Sequence, residues 1–241
     1  MQAFVLAAGL GTRLQPLTLS LPKAMVEVQG RPLIRIVIDN LVRQGITRIV
    51  VNVHHLAAIL TDYLQNNQWG ADIIISDESD LLLDTGGGLK KAAPLFLPDE
   101  PILIHNVDIL SRINFSELET QHTDSMNIAT LAVSNRNTSR QLLFNAHKQL
   151  VGWQNNNTGE TKWTLRPISD YHPMAFSGIA IVNPELIDLL PNTSHPFPII
   201  PAYLEIAKEH RISYFEHKKN DWLDVGQPKT LQEAQSWTIN H

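Results

Sequence analysis

The sequence predicts an α/β fold: a Rossmann-like, mostly parallel central sheet with helices on both faces, and a small antiparallel flap. Three observations predict it. Residues 3–76 alternate strand-type and helix-type apolar patterns, with connections short enough for βαβ units. A glycine-rich turn, Gly9-Leu10-Gly11, leaves the first apolar run at once. From Ser134 to Pro173 the chain turns polar and breaks into short alternating segments.

The first run, residues 3–8, is continuously apolar, which suits a strand buried on both faces. Gly9 and Gly11 then allow a tight turn and the close approach of a ligand to backbone N–H groups. Thr12 adds a hydroxyl, and Arg13 a fork of donors that fits phosphate oxygens. Lys23 brings a second cation after a Pro-bounded segment. The turn matches neither familiar nucleotide motif. The dinucleotide fingerprint requires a small residue where Leu14 stands, and the P-loop requires a Gly-Lys-Ser/Thr run that is absent.

Residues 32–45 carry Leu33, Ile34, Ile36, Val37, Leu41 and Val42 at helical spacing, and Gly45 closes them as a C-cap. Residues 46–53 read as a second strand, 56–66 as a helix and 71–76 as a third strand. In such βαβαβ arrays ligands gather beyond the carboxyl ends of the strands, where the Gly9–Arg13 turn sits. Asp84-Thr85-Gly86-Gly87-Gly88 precedes a helix-forming run. Three adjacent glycines read either as a flexible loop or as a backbone wall for a ligand.

Residues 101–104 form a fourth strand, leading to Asn106-Val107-Asp108. An acid at such a strand end is placed to hold Mg²⁺ or to cap a helix. Residues 127–133 are a fifth strand. The flap, about 134–175, contains strand-like pieces at 141–144, 150–153 and 162–165, with a turn at 155–159. Residues 175–182 form a strand with Gly178 inside it, a sign of close backbone approach or of a bulge. Helices at 184–190 and 199–209, a strand at 212–217 and a helix at 228–237 complete a single unit spanning 1–241, with no internal repeat.

Composition narrows the function. The formal net charge is −5, which argues against a general nucleic-acid binder. No apolar run reaches membrane-spanning length and the N-terminus does not read as a signal peptide, so a cytoplasmic location is expected. There is no cysteine, so neither disulfides nor thiol chemistry is available. His54-His55 shows no zinc spacing.

Leu6-Ala7-Ala8-Gly9-Leu10-Gly11-Thr12-Arg13-Leu14 followed by Pro22-Lys23 resembles the signature of the sugar-1-phosphate nucleotidyltransferases, and the likeness runs from residue 3 to about 230. The resemblance implies transfer of a nucleotidyl group from a nucleoside triphosphate to a sugar 1-phosphate, with Mg²⁺ and without a covalent enzyme intermediate. Arg13 and Lys23 become the catalytic cations. Leu6, Ala7, Ala8, Gly9, Gly11 and Thr12, with Asp84, Thr85, Gly86 and Gly87, become the nucleotide site. Asn106, Ser177 and Gly178 become the sugar site under the flap. Asp108 and Asp224, the latter within Trp222-Leu223-Asp224-Val225-Gly226, become the metal ligands. Two departures stand out. Val107 replaces a usual glycine, and either narrows the site or points into the core. The Glu-Lys pair that holds the sugar phosphate in many relatives is not found. Within the family, length and the Asp84–Gly88 run resemble the compact N-acetylmuramate-1-phosphate uridylyltransferases; compact guanylyl- and cytidylyltransferases share most features. A non-catalytic sugar-nucleotide sensor is the alternative of another class, but it has no need of both metal acids.

Overall fold

The computed structural model describes residues 1–237; the last four residues of the expected 1–241 unit lie outside them. Fourteen strands and six α-helices follow in chain order. The strands are β1 (Gln2–Leu6), β2 (Glu27–Val28), β3 (Arg31–Pro32), β4 (Arg48–Val53), β5 (Asp72–Asp77), β6 (Ile102–Asn106), β7 (Ile109–Ser111), β8 (Ala129–Ser134), β9 (Arg140–Phe144), β10 (Leu150–Asn155), β11 (Thr161–Trp163), β12 (His172–Val182), β13 (Ile212–Glu216) and β14 (Trp222–Asp224). The helices are α1 (Leu33–Arg43), α2 (Ala57–Gln65), α3 (Asp84–Ala92), α4 (Phe115–Asp124), α5 (Ile199–Ile206) and α6 (Pro228–Ala234).

The main sheet runs β11-β10-β9-β12-β6-β1-β4-β5, with β8 on β12 and β13 on β8. β6, β1, β4 and β5 are parallel, and β13 is parallel to β8. β1 shows why: Ala3, Phe4 and Val5 are fully buried, so the strand needs cover on both faces. One face is covered by Ile34 and Leu41 of α1, Leu60 and Leu64 of α2, Phe115 and Leu118 of α4 and Ala234 of α6. The other is covered by Leu89 of α3 and by Ala202, Tyr203 and Ile206 of α5. Gly45, at φ 87°, follows α1 as the expected left-handed cap.

Four features depart from the sequence reading. The antiparallel flap is continuous with the main sheet. β12 is longer than expected; its first residues, His172–Met174, pair with β9, and its later ones with β6 and β8. The glycine run is neither loop nor open wall but the buried first turn of α3. And a short ladder, β7 with β14, was not foreseen because each strand is only three residues long. The helix expected at 184–190 is reduced to a 3₁₀ turn over Pro184–Ile187. Val107 is 2% exposed and belongs to the core, so its side chain does not narrow the site.

Candidate active site

At the end of β1 the Ala7 and Ala8 N–H groups donate to Asn52 Oδ1, at 2.6 and 3.1 Å. Asn52 Nδ2 donates to Glu78 Oε1 at 2.7 Å, and Glu78 Oε2 accepts the Leu83 N–H at 3.1 Å. Both side chains are buried. One polar bridge thus ties the ends of β1, β4 and β5 to the entry of α3, and satisfies groups that burial would otherwise orphan. Sequence reasoning did not assign Asn52. Its signal was a lone amide at the end of a β-branched run. The turn itself depends on Gly11, at φ 65°, where a Cβ would lie 2.8 Å from Thr18 Cγ2. Thr18 Oγ1 donates back to the Gly11 carbonyl at 2.8 Å. Leu14 is buried and anchors the turn, whereas Gly9 faces open space.

The β7–β14 ladder brings the two expected metal acids together. Asp224 lies opposite Ile109, and the Val225 N–H donates to the Asp108 carbonyl at 2.9 Å. Asp224 Oδ1 accepts the Gly226 N–H at 2.7 Å. A Cβ on Gly226 would sit 2.7 Å from Arg13 Nη2, 2.8 Å from Asp108 Oδ2 and 2.9 Å from Asp224 Oδ1. Three charged tips therefore crowd one point that only glycine leaves open. Lys23 Nζ pairs directly with Asp108 Oδ2, and Arg13 Nη2 lies 3.9 Å from it. The pair is largely buried; Lys23 is 13% and Asp108 11% exposed, while Arg13 is 54% exposed.

The donor set suits Mg²⁺: two carboxylates, all oxygen, at the end of a parallel sheet. Among the described residues no group of three or more acids or histidines gathers to hold a metal. The remaining ligands of a hard cation would therefore be phosphate oxygens and water, the usual division for Mg²⁺ at a phosphoryl site.

A cleft of about 480 Å³ opens from these acids toward the flap. It brings together Arg13, Asn106, Asp108, Ser177, Gly178 and Asp224 of the expected residues. Arg136, Arg140, Trp153, Lys162 and Trp222 also line it. Gly178 has φ 71°, and a Cβ there would lie 2.7 Å from Asn106 Nδ2, so this strand glycine marks a close approach. Beneath it, Trp222 Nε1 donates to the Ser177 carbonyl at 2.7 Å, and Ser177 Oγ lies 2.7 Å from His217 Nε2. Burial holds the His217 pKa below its usual value. A separate hollow of about 400 Å³, lined by Gln44, Ser111 and Trp237, contains none of the expected site residues.

The glycine run serves packing here. A Cβ on Gly86 would lie 2.6 Å from Phe197 Cδ2, and one on Gly88 would lie 2.7 Å from Glu78 Oε1. The Gly86 and Gly87 N–H groups both donate to the Phe197 carbonyl, at 3.0 and 3.2 Å. They are thus not open donors for a base edge, which corrects that part of the backbone-wall expectation. Thr85 Oγ1 accepts the Ile199 N–H at 2.9 Å, and Asp84 Oδ1 accepts the Thr85 N–H at 2.6 Å. Residues 84–87 and 6–12 stand beside the cleft, joined through Asn52 and Glu78, rather than lining it.

The comparisons agree with this architecture. The sequence model described as "Nucleotidyl transferase" matches residues 2–142. The N-acetylmuramate alpha-1-phosphate uridylyltransferase of Neisseria meningitidis serogroup B is 32% identical over 98% of this chain and 97% of its own length. A mannose-1-phosphate guanyltransferase of Aspergillus oryzae is also 32% identical, over 95% of this chain but 62% of its own length. The solved UDP-glucose pyrophosphorylase of Acinetobacter baumanii shares the fold with a TM-score of 0.80, at 18% identity over 97% of this chain and 91% of its own.

Proposed function

We propose a Mg²⁺-dependent uridylyl transfer from UTP to an N-acetylmuramate-like sugar 1-phosphate for this chain, which belongs to the nucleotidyl transferase family. Sugar-1-phosphate nucleotidyltransfer is the reaction of that family and of the relatives it matches. The uridylyl choice rests on one observation. Guanine presents paired donors that suit a carboxylate, and of the two candidates Glu78 is committed, buried and bonded to Asn52 and the Leu83 N–H, while exposed Asp84 accepts the Thr85 N–H through one oxygen. The full-length match to uridylyltransferases supports the same choice. Guanylyl transfer to mannose 1-phosphate is the second reading, favoured by the equal identity of the guanyltransferase and by the occupied Gly86 and Gly87 N–H groups.

The residues present can perform the transfer by positioning and electrostatics. The acceptor phosphate is already ionised, so no protein nucleophile is needed. Lys23 would offset charge at the phosphorus under attack, and Arg13 at the departing pyrophosphate. Before substrates bind, Lys23 neutralises Asp108, which limits the cost of a partly buried carboxylate. Asp108 and Asp224 would hold Mg²⁺. A bound Mg²⁺ would supply charge neutralisation between two anionic reactants. Both reactants are multiply charged, and we place the reaction in the cytoplasm.

The test is kcat/KM for UTP, GTP, CTP and dTTP against N-acetylmuramate 1-phosphate, mannose 1-phosphate and glucose 1-phosphate. UTP with N-acetylmuramate 1-phosphate is expected to lead. A clear preference for GTP with mannose 1-phosphate would overturn the substrate choice and leave the reaction class standing.

A further inference from the structure

Arg136 follows β8 and turns into the cleft. Its guanidinium lies 3.9 Å from the ring centre of Trp222. Nη1 donates to Ser134 Oγ at 2.7 Å, to Ser177 Oγ at 2.9 Å and to the Ala175 carbonyl at 3.2 Å; Nη2 donates to the Phe176 carbonyl at 2.6 Å. Ala175 and Phe176 lie at the end of the β8–β12 ladder, just before β12 slips its register against β8. The guanidinium has five N–H donors. Its Nε–H and one Nη2 hydrogen have no acceptor among the described residues.

Every acceptor of Arg136 is neutral. Among the described residues, no carboxylate lies within 4 Å of it, unlike Lys23, Arg31, Arg35, Arg48, Lys162 and Lys208, which are all paired. Burial is costly enough to lower its pKa to about 10, with Asp224 opposing the shift. The group stays charged at neutral pH all the same. A half-buried, rigidly held cation whose bonded partners are all neutral is costly, and a ligand anion would offset that cost.

Its place selects which anion. Arg136 stacks on Trp222, two residues before Asp224 on β14, so it serves the acid end of the cleft. Lys162, by contrast, pairs with Glu160 at 3.3 Å and lies 5.5 Å from the Trp153 ring centre, on the flap. In a nucleotidyl transfer the acceptor group at the acid end is the sugar's 1-phosphate.

We propose that Arg136 binds the 1-phosphate of the acceptor sugar, with Trp222 and Ser177 holding its planar fork in place. The proposal rests on the transfer reaction above but not on the identity of base or sugar. No motif assigns this residue, and Arg136 provides a phosphate cation in a chain that lacks the Glu-Lys pair.

The experiment is calorimetric binding of N-acetylmuramate 1-phosphate, mannose 1-phosphate and glucose 1-phosphate, and of the same sugars without phosphate, to wild type and Arg136→Gln. The phosphorylated ligand that wild type binds best should lose affinity ~10–100-fold, the range for hydrogen bonds to charged groups. Binding of the unphosphorylated sugar and of UTP should change less than about 2-fold, well below that range. Equal losses for phosphorylated and free sugar would mean a structural role only, and would overturn the proposal; so would no loss at all. Should Arg136→Gln fail to fold, Arg136→Lys reads the same ratio. It keeps the charge but not the fork, and a ratio equal to wild type would overturn the assignment of the phosphate to the held fork. The sugar that wild type prefers tests the substrate choice separately. A preference for mannose 1-phosphate ends that choice and leaves the arginine result intact.

Discussion

The two walls of the site are built differently; the β1 wall stands beside the cleft, and the flap wall lines it. On the β1 side, Asn52, Glu78 and the Ala7 and Ala8 N–H groups form one buried chain of hydrogen bonds, and Lys23 already neutralises Asp108. On the flap side, Arg136 has no carboxylate within 4 Å among the described residues, Lys162 and Arg140 are exposed, and the sheet slips register at Ser177 and Gly178. The first wall is finished before any ligand arrives. The second leaves charge and hydrogen-bonding capacity for the ligand to satisfy. A rigid wall suits the part of the chemistry that every transfer shares, and an unfinished wall suits the part that changes with the sugar.

The largest expected effects break the shared part. Arg13→Ala and Lys23→Ala should each lower kcat by ~10²–10³-fold, the scale of a lost preorganised donor. Arg13→Lys should not restore it, because the planar fork is lost. Steady-state kinetics check both, and a near-normal kcat in Lys23→Ala would remove Lys23 from the machinery.

Gly226→Ala comes next. The three atoms nearest the added Cβ are the tips of Arg13, Asp108 and Asp224. Those tips can move, so the fold should survive with a Tm close to wild type. Their displacement should still cost ~10²-fold in kcat, as small misplacements at a reacting centre do. Unchanged kinetics would show that the three groups do not act from the positions seen here.

Asn52→Ala tests whether the first wall is as rigid as its bonds imply. It leaves the Ala7 and Ala8 N–H groups and Glu78 without their partner, all buried. A loss of about 3 kcal/mol is expected from denaturant unfolding, on the scale of several orphaned polar groups. The matching change on the flap, Gln154→Ala, removes side-chain bonds to Gln141 and Asn156 that reach solvent. It should stay within about 0.5 kcal/mol.

Acid should loosen the molecule, and the flap side with it. Burial lowers the pKa of His105 to about 4, against partial opposition from its bond to the Asn106 carbonyl and from Asp108. Burial lowers those of His122 and His217 in the same direction. A histidine with a depressed folded pKa takes up its proton more readily when unfolded. Stability is therefore full above the unfolded pKa near 6.5 and falls as pH drops toward 4, by roughly 3 kcal/mol for His105 alone. Among the described residues His105 Nε2 has no hydrogen-bond partner, so His105→Leu should flatten the profile below pH 6. Urea unfolding at pH 5 and pH 7 measures it, and a profile unchanged in that variant would exclude His105 as the source.

What the sequence made legible follows the same division. The first wall is local: strand, glycine turn and Arg13 lie within a few residues, so their pattern and their place coincide. Its unassigned member, Asn52, carries a side chain that acts on backbone, and nothing in its letter says so. The acid pair was readable as two motifs, but the ladder that joins them was not, because β7 and β14 are too short to show a period. The glycine run showed a need for small residues without showing for what; Phe197, more than a hundred residues later, supplies the reason. Arg136 was missed because its meaning is an absent carboxylate, and that is a property of three-dimensional neighbours.

The smallest expected effect sharpens the comparison at its far end, on the sugar's own substituent. Arg140 and Lys162 line the outer cleft. If the acceptor carries a lactyl carboxylate, one of these two cations is its partner. Lys162 is 58% exposed and already shares Glu160, so its contribution is that of a solvated pair. Lys162→Ala should raise KM for N-acetylmuramate 1-phosphate about 2- to 5-fold, the worth of an exposed ion pair. It should leave KM for N-acetylglucosamine 1-phosphate, which lacks that carboxylate, unchanged, and leave kcat unchanged for both. Added salt should shrink the difference, because exposed charges are screened. An equal rise for both sugars would assign Lys162 to the shape of the flap through its contact with Trp153. No rise for either would move the carboxylate to Arg140, where the same pair of substrates would read it.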